Sequence, residues 1–314
     1  MSVRMLVVGS ANMDFVMNCE RLPCAGETML SYEPYEYAGG GKGANTAVAA
    51  ALLGAQVMLC ARVGDDQHGK RLRKLYGDCG IDLRFIHIDS LSQTGLAVVI
   101  VEKNGVNRIV VYPGANSRLS DRDIEEAFAV RPEAVLTQFE IGMDAVLYTA
   151  KRAAELNVPL IIDAGPARGD YPIERIPRVE IFSPNESETE ILTGIRPVSA
   201  EDCLRASMAL YQRTEMKYVV LKLGDRGCFV YDGKYCTLVS PFDVTPVDTT
   251  AAGDAFTAAL GYRYCSNGGD ILEACRYANA VGALTVTKRG AAPSLPTGAE
   301  TEAFLAERAE PSQT

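Results

Sequence analysis

Short apolar runs alternate with longer amphipathic stretches along most of the 314-residue chain. The apolar runs predict buried strands at 5–9, 57–62, 133–138, 158–163, 179–182 and 217–222. The stretches between them have helical spacing and predict helices at 43–53, 66–79, 121–130, 142–156, 187–193 and 200–213. Strands that alternate with helices need right-handed crossovers. The pattern therefore predicts an α/β fold, a mostly parallel sheet between two layers of helices.

Two segments, 14–38 and 95–112, differ from this pattern, and each predicts a pair of extended strands. The turn Lys103-Asn104-Gly105 lies between two alternating apolar runs, which is a strong hairpin signal. We expect a small antiparallel sheet that forms a lid, inserted into an α/β domain. That domain comprises 1–13, 39–94 and 113–309, followed by a tail at 310–314. The edges of such a lid need cover, which predicts a homodimer paired through it.

The last third of the chain begins with another strand pair, at 227–231 and 234–239. The run DTTAAGDAF follows, and two long helical patterns occupy 252–265 and 270–287. Small residues in that run precede the first of these helices, so the run lies at a helix N-terminus.

Composition and charge narrow the class of protein. The net charge is -9, which argues against nucleic acid or an anionic membrane as a partner. The nine cysteines form no C-x-x-C pair, and only His68 and His87 could assist them, so a zinc site is not expected. Reduced thiols indicate a cytoplasmic protein. Gly54 and Gln56 interrupt the longest apolar region, 47–61, so no membrane span is expected.

The first candidate site is the glycine-rich run from Gly39 to Asn45, with the sequence GGGKGAN. Glycines allow backbone N–H groups to approach a ligand closely. The spacing and the missing hydroxyl residue exclude a P-loop. A flexible loop before a helix is the simpler interpretation, but Lys42 and Asn45 are polar groups in apolar company, which favours a binding loop.

The second candidate site is the run Asp248 to Asp254, where an amphipathic helix begins near Ala252. Backbone N–H groups at a helix N-terminus stabilise an anion, and the same field keeps Asp254 ionised and able to accept a proton. Phosphoryl transfer needs this combination of positioning and charge neutralisation. The alternative is an ordinary aspartate helix cap.

Further polar groups follow predicted strands. Asn185 and Glu188 come after the strand that ends at 182, three residues apart on one helical face, and their oxygens suit Mg²⁺. An acidic helix N-terminus explains the pair equally well. Asn12, Asp14 and Glu140 also follow strands and could bind sugar hydroxyls, although a lone aspartate there is more often a turn residue.

Together these motifs resemble the ribokinase-like (PfkB) carbohydrate kinases from about residue 4 to residue 307. The motifs that carry the resemblance are GSANMD, CAGET, AGGGKGANTAVAAALLGA, VGDD, SPNESE, LKLGDRG, VDTTAAGDAF and KRGAAPSLP. The resemblance implies the ribokinase-like three-layer α/β/α fold with a β lid. It also implies transfer of the γ-phosphoryl group of ATP to a sugar, assisted by Mg²⁺ and an activating K⁺.

The resemblance implies a role for each matching residue. Asp254 is similar to the family's catalytic base, and Ala251, Ala252 and Gly253 to its anion hole. The residues similar to the sugar-binding set are Asn12, Asp14, Gly41, Lys42, Asn45, Glu140 and Asp254. Those similar to the ATP-binding set are Asn185, Lys222, Gly224, Gly227, Gly253 and Asn279. Asn185 and Glu188 resemble the pair that organises Mg²⁺, mostly through water. The loop that would hold a monovalent cation comprises Asp248, Thr250, Thr285, Lys288, Gly290 and Ser294.

The acceptor implied by the resemblance is the 5-hydroxyl of D-ribose. Another free sugar, such as deoxyribose or fructose, or a nucleoside is the alternative within the class. A non-catalytic sugar-binding regulator on the same fold would have lost the base or the anion hole, and both are present here. Lys222 departs from the family, which usually has a small hydroxyl residue there, and it could instead meet a phosphate.

Overall fold

The computed structural model describes residues 2–308, so the predicted tail at 310–314 lies outside it. The strands are β1 (Arg4–Val8), β2 (Asn12–Cys19), β3 (Glu36–Gly40), β4 (Gln56–Gly64), β5 (Ile86–Asp89), β6 (Gly95–Glu102), β7 (Asn107–Tyr112), β8 (Ala134–Gln138), β9 (Leu160–Asp163), β10 (Val179–Ser183), β11 (Met216–Lys222), β12 (Cys228–Tyr231) and β13 (Cys236–Val239). The α-helices are α1 (Lys42–Leu52), α2 (Gln67–Asp78), α3 (Asp121–Phe128), α4 (Met143–Glu155), α5 (Glu186–Thr193), α6 (Ala200–Tyr211), α7 (Ala252–Ser266), α8 (Ile271–Val286) and α9 (Gly298–Glu307).

The main sheet has nine strands in the order β13-β12-β11-β10-β9-β8-β1-β4-β5. From β5 to β11 every neighbouring pair is parallel. The last two pairs, β11–β12 and β12–β13, are antiparallel and extend one edge. The predicted mostly parallel α/β sheet is confirmed. The carboxyl ends of the parallel strands form one edge, where α/β folds of this kind bind ligands.

Helices cover both faces of this sheet because its central strands are apolar on both sides. In β1, Met5 and Val7 belong to a core shared with α1, α7 and α8. Leu6 and Val8 point the other way, into a core shared with α3, α4 and α6. The result is the three-layer arrangement expected from the sequence.

The predicted lid segments form a separate sheet in the order β3-β2-β6-β7. The pairs β2–β3 and β6–β7 are antiparallel, as expected, but β2 and β6 join in parallel along their full lengths. This parallel junction is a feature that the hairpin signals do not predict. The small sheet also begins at Asn12 and includes Gly40, beyond the predicted segment 14–38. The division into a domain and an inserted lid stays a prediction.

Two elements are absent from the predicted set. The strand β5 is short and alternates apolar and polar residues, so it gives little signal. The helix α9 does have a sequence signal, because Thr297 and Glu300 form a capping box at its start.

All nine cysteines are unpaired. Across residues 2–308, the helices are too short or too polar to cross a membrane.

Candidate active site

The glycine-rich run and the DTTAAGDAF run, distant in sequence, meet at the carboxyl edge of the main sheet. The amide of Asn45 donates a hydrogen bond from Nδ2 to Asp254 Oδ2 at 2.8 Å. The ammonium of Lys42 lies 3.4 Å from Asp254 Oδ1. Asp254 itself is only 5% exposed. The two regions singled out from the sequence therefore form one site centred on this carboxylate.

Asp254 does not cap its helix, which removes the simpler interpretation of this residue. The N-cap of α7 is Ala251, in the left-handed region with φ 60°, and no side chain caps the helix. The amide of Ala252 is bonded to Thr249 O at 3.3 Å. The Asp254 carboxylate instead faces Asn45 and Lys42.

The charge on Lys42 is firmly maintained. Burial alone would lower the pKa of its ammonium, but the nearby carboxylates, led by Asp254 and Asp163, raise the pKa above its usual value. Lys42 is therefore a permanent cation beside Asp254. A cation there stabilises negative charge on any group that enters the site.

Glu140 fastens the glycine-rich loop to the end of β1. Its Oε2 accepts hydrogen bonds from the backbone N–H of Lys42 at 2.9 Å and from Ser10 Oγ at 2.5 Å. Gly41 has φ 91°, and a Cβ there would lie 2.8 Å from the backbone nitrogen of Asn12. Glycine is thus required at that position. Ser10 is not among the predicted site residues.

Asn116, another residue outside the predicted set, fixes the orientation of Asn12. Asn116 donates from Nδ2 to Asn12 Oδ1 at 2.7 Å and accepts from the backbone N–H of Ala11 at 2.9 Å. Both asparagines are 1% exposed. Since the Asn12 carbonyl is occupied, its Nδ2 remains as a donor for a ligand.

Asp14 lies on β2 against the backbone of Gly40, whose ideal Cβ would lie 2.1 Å from Asp14 Oδ2. Burial, followed by the charges of Glu140 and Asp254, raises the pKa of Asp14 to about 7. The free protein therefore holds a proton on Asp14 below neutral pH and a carboxylate above it.

The raised pKa of Asp14 predicts a specific dependence of stability on pH. Between about pH 4 and pH 7 Asp14 keeps a proton in the folded state that it releases in the unfolded chain, so the contribution of Asp14 to stability falls as pH rises. Asp14→Asn removes this effect. The difference in free energy of unfolding should shift in favour of the variant from pH 5 to pH 7 and then level off. Urea unfolding at each pH measures it, and a difference independent of pH would contradict the assignment.

A cavity of about 870 Å³ adjoins the Asp254 site on the side of α8. The six residues predicted to bind ATP all line it: Asn185, Lys222, Gly224, Gly227, Gly253 and Asn279. Its apolar wall includes Phe242, Val244 and Ala283. Volume and lining suit a nucleotide with an aromatic base. Asn279 donates from Nδ2 to the carbonyls of Val239 and Ser240 at 3.1 and 2.9 Å, so it also holds the end of β13.

Asn185 and Glu188 form a reciprocal capping box at the start of α5. Asn185 Oδ1 accepts from the backbone N–H of Glu188, and Glu188 Oε2 accepts from that of Asn185, both at 2.8 Å. Burial, then the charge of Asp163, raises the pKa of Glu188, although Lys222 and Lys42 oppose this. No group of three or more His, Cys, Asp or Glu side chains that could hold a metal occurs within residues 2–308. A role for this pair in Mg²⁺ binding, mostly through water, stays a prediction.

Asp248 links two parts of the predicted cation loop. Its Oδ1 accepts from Thr250 N at 2.9 Å and from Thr250 Oγ1 at 2.7 Å, while Oδ2 accepts from Gly290 N at 2.8 Å. The side chains of the other three residues are bonded elsewhere: Thr285 to Val281 O, Ser294 to Ala291 O and Lys288 to Glu300. A cation would therefore depend on backbone carbonyls, and this site too stays a prediction.

Lys222 forms a buried ion pair with a carboxylate at the end of a neighbouring part of the main sheet. Its Nζ lies 2.6 Å from Oδ2 of Asp163, a residue at the end of β9 that is not among the predicted site residues. The Thr257 hydroxyl lies 2.9 Å from the same oxygen. Lys222, the residue that departs from the family pattern, is thus paired with a carboxylate of opposite charge.

Residues 3–298 match the pfkB family carbohydrate kinase, and the chain belongs to this family. A ribokinase from Haemophilus influenzae is 36% identical over 306 residues, 95% of this chain and 97% of that protein. A bifunctional ribokinase/ribose-5-phosphate isomerase A from Fructilactobacillus sanfranciscensis is 34% identical over 296 residues. The match covers 94% of this chain and 54% of that longer protein. The structure of Arabidopsis thaliana ribokinase complexed with ribose and ATP has a TM-score of 0.86 and 33% identity, covering 97% of this chain and 99% of that one.

Family membership confirms the class predicted from the motifs. The protein is a carbohydrate kinase, a phosphotransferase with an alcohol group as acceptor. The ribokinase-like α/β fold is likewise confirmed.

Proposed function

We propose that the protein transfers the γ-phosphoryl group of ATP to the 5-hydroxyl of D-ribose, with Asp254 as the general base. One observation carries the proposal. Gly253 lines the nucleotide cavity, while the adjacent Asp254 contacts Lys42 and Asn45 of the glycine-rich loop. The base therefore stands where a sugar on one side would meet a nucleotide on the other. The complex of the Arabidopsis thaliana ribokinase with ribose and ATP supports both ligands.

In the proposed reaction Asp254 accepts the proton of the 5-hydroxyl as its oxygen bonds to phosphorus. The bond between that phosphorus and ADP breaks, and ADP leaves. Lys42 and the first N–H groups of α7, around Gly253, face the charge that develops on the phosphoryl oxygens. Mg²⁺, when bound, would neutralise part of the triphosphate charge. Asn185 and Glu188 would orient it through water.

The polar groups around Asp254 favour a free sugar as acceptor. Asn12 offers its Nδ2, Asp14 a carboxyl group and Lys42 an ammonium. Donors and acceptors in alternation suit several hydroxyl groups on one ring.

All nine cysteines are unpaired, which supports a cytoplasmic location.

The deciding experiment is a coupled ADP-release screen over ribose, deoxyribose, fructose and nucleosides. We expect ribose to give the highest kcat/KM, and ³¹P NMR to identify the product as the 5-phosphate. An acceptor at least about tenfold better than ribose would overturn the proposed substrate but leave the kinase class intact.

Potassium should activate the enzyme if the loop around Asp248 binds a monovalent cation, as we propose. Asp248 holds Thr250 and Gly290 together, so a cation there would stiffen the approach to α7. We expect rates in potassium to exceed those in sodium or cation-depleted buffer, and Asp248→Ala to lose this difference. Equal rates of the wild-type protein in all three buffers would count against the site.

A homodimer should form through the lid, because β7 is an exposed edge strand with apolar side chains. Ile109 and Val110 are 55% and 73% exposed. A charge at this edge opposes pairing, so Val110→Lys should yield a folded monomer in light scattering at micromolar concentration. The matched control is Val198→Lys, at a position 65% exposed outside the lid, which should remain dimeric. A monomeric wild-type protein would refute the proposal.

A further inference from the structure

Lys222 and Asp163 form a buried ion pair at the carboxyl ends of two strands, β11 and β9. The Asp163 carboxylate is fully buried and the Lys222 side chain is 10% exposed. Burial acts to raise the pKa of Asp163, but Lys222 and Lys42 hold the pKa below its usual value. The Asp163 carboxyl is therefore ionised in the folded protein.

The ammonium of this pair faces the start of α7. An ideal Cβ on Gly253 would lie 3.7 Å from Lys222 Nζ, and both residues line the nucleotide cavity. The Thr257 hydroxyl lies 3.0 Å from Gly253 O and 2.9 Å from Asp163 Oδ2. Thr257 thereby ties the ion pair to the first turn of the helix.

Stability alone does not explain such a pair. Desolvation of two charges costs roughly as much as their attraction returns, and apolar replacements are often as stable or more so. A buried lysine that lines the cavity does supply a positive charge held in place by a partner carboxylate. Charge of this kind is most effective when it faces negative charge that develops during a reaction.

We propose that Lys222 contacts the γ-phosphoryl group during transfer, and that Asp163 and Thr257 are positioning residues that aim its ammonium past Gly253. The inference rests on the proposed kinase reaction. It gives the phosphoryl group two cationic contacts, Lys42 from the sugar side and Lys222 from beneath α7. It also accounts for Asp163, because an ammonium fixed in advance needs no reorganisation during the reaction.

The test removes both charges together, so that neither is left buried alone. The variant is Lys222→Met with Asp163→Asn. Its matched control is Lys217→Met with Glu180→Gln, a second lysine–carboxylate contact of 2.7 Å between the neighbouring strands β11 and β10, outside the cavity lining. Thermal melting establishes that both variants fold.

We expect the Lys222 double variant to lose about 10²-fold in kcat while KM for ribose changes less than about threefold. Calorimetry should show affinity for the ATP analogue AMP-PNP falling about tenfold, with affinity for ADP changing less than about twofold, because only the analogue has a γ-phosphoryl group. The control should keep wild-type values. Equal losses for AMP-PNP and ADP, or a kcat within about threefold of wild type, would overturn the inference.

Two comparisons cover the remaining outcomes. If the double variant does not fold, Lys222→Met and Asp163→Asn are compared singly, since each breaks the same ion pair. The proposal expects Lys222→Met to lose at least about tenfold more kcat, because Asp163→Asn keeps the ammonium; equal losses would contradict it. A wild-type protein that phosphorylates no sugar would refute the proposed function itself, whereas an active wild type with an active double variant would refute only this inference.

Discussion

Replacing Asp254 with asparagine is expected to lower kcat by about 10²- to 10⁴-fold, with little change in sugar affinity. Asparagine has nearly the same shape and keeps an oxygen that can accept the 2.8 Å hydrogen bond from Asn45. What it loses is the ability to take a proton from the attacking hydroxyl. Steady-state kinetics with the sugar varied at saturating ATP separates the two quantities.

The control for this variant is Asp270→Asn. Asp270 is the exposed N-cap of α8, the next helix along the chain, and asparagine caps helices as well as aspartate does. Its kcat should equal that of the wild-type protein. A kcat for Asp254→Asn within threefold of wild type would remove Asp254 from the role of base.

Gly43→Ala is expected to destabilise the protein by about 3 kcal/mol, at the upper end for overpacked cores. A Cβ at this position would lie 2.5 Å from Ser10 N and 2.6 Å from Gly9 Cα. Both are backbone atoms at the end of β1, so neither can rotate away. Relief would require α1 to move off the sheet, carrying Lys42 and Asn45 with it. Urea unfolding monitored by circular dichroism measures the loss.

Gly282→Ala is the matched control, because Gly282 also lies within a helix, α8. A Cβ there meets nothing within 4 Å. Alanine favours a helix over glycine, so this variant should be up to about 1 kcal/mol more stable than wild type. Destabilisation of both variants to the same extent would show that helix propensity, not close contact with β1, decides the result at Gly43.

The sequence was sufficient for the fold and the centre of the site, for identifiable reasons. Apolar runs of strand length alternate with helical patterns, and that alternation determines the layers. The glycine-rich run and the DTTAAGDAF run each place small residues before a helix, a local signal that needs no partner. Their contact through Asn45 and Asp254 is not part of that local signal, because the glycine-rich run follows β3 of the small sheet and the DTTAAGDAF run follows β13 of the main sheet.

Some site residues are absent from the predicted set because their contacts depend on the order of the strands in the two sheets. Asp163 ends an apolar run and looks like a turn residue, and its partner Lys222 lies two strands away in the sheet. Asn116 follows the lid hairpin and reaches Asn12 across the root of the small sheet. Neither contact leaves a trace in local spacing. The capping box of α9 is visible in the sequence, whereas no local pattern indicates that β2 and β6 pair in parallel.

The parallel junction of β2 and β6 would couple sugar binding to dimerisation. Asn12 opens β2 and pairs with Gly40 of β3 on one side and Gly95 of β6 on the other, so the small sheet and the proposed sugar site share backbone. If two copies associate through β7, any strain that this contact places on the sheet would reach the proposed sugar-binding residues Asn12 and Asp14 directly. Thermodynamic linkage then makes the effect reciprocal. Saturating sugar would change the dimer dissociation constant by the same factor by which dimerisation changes sugar affinity.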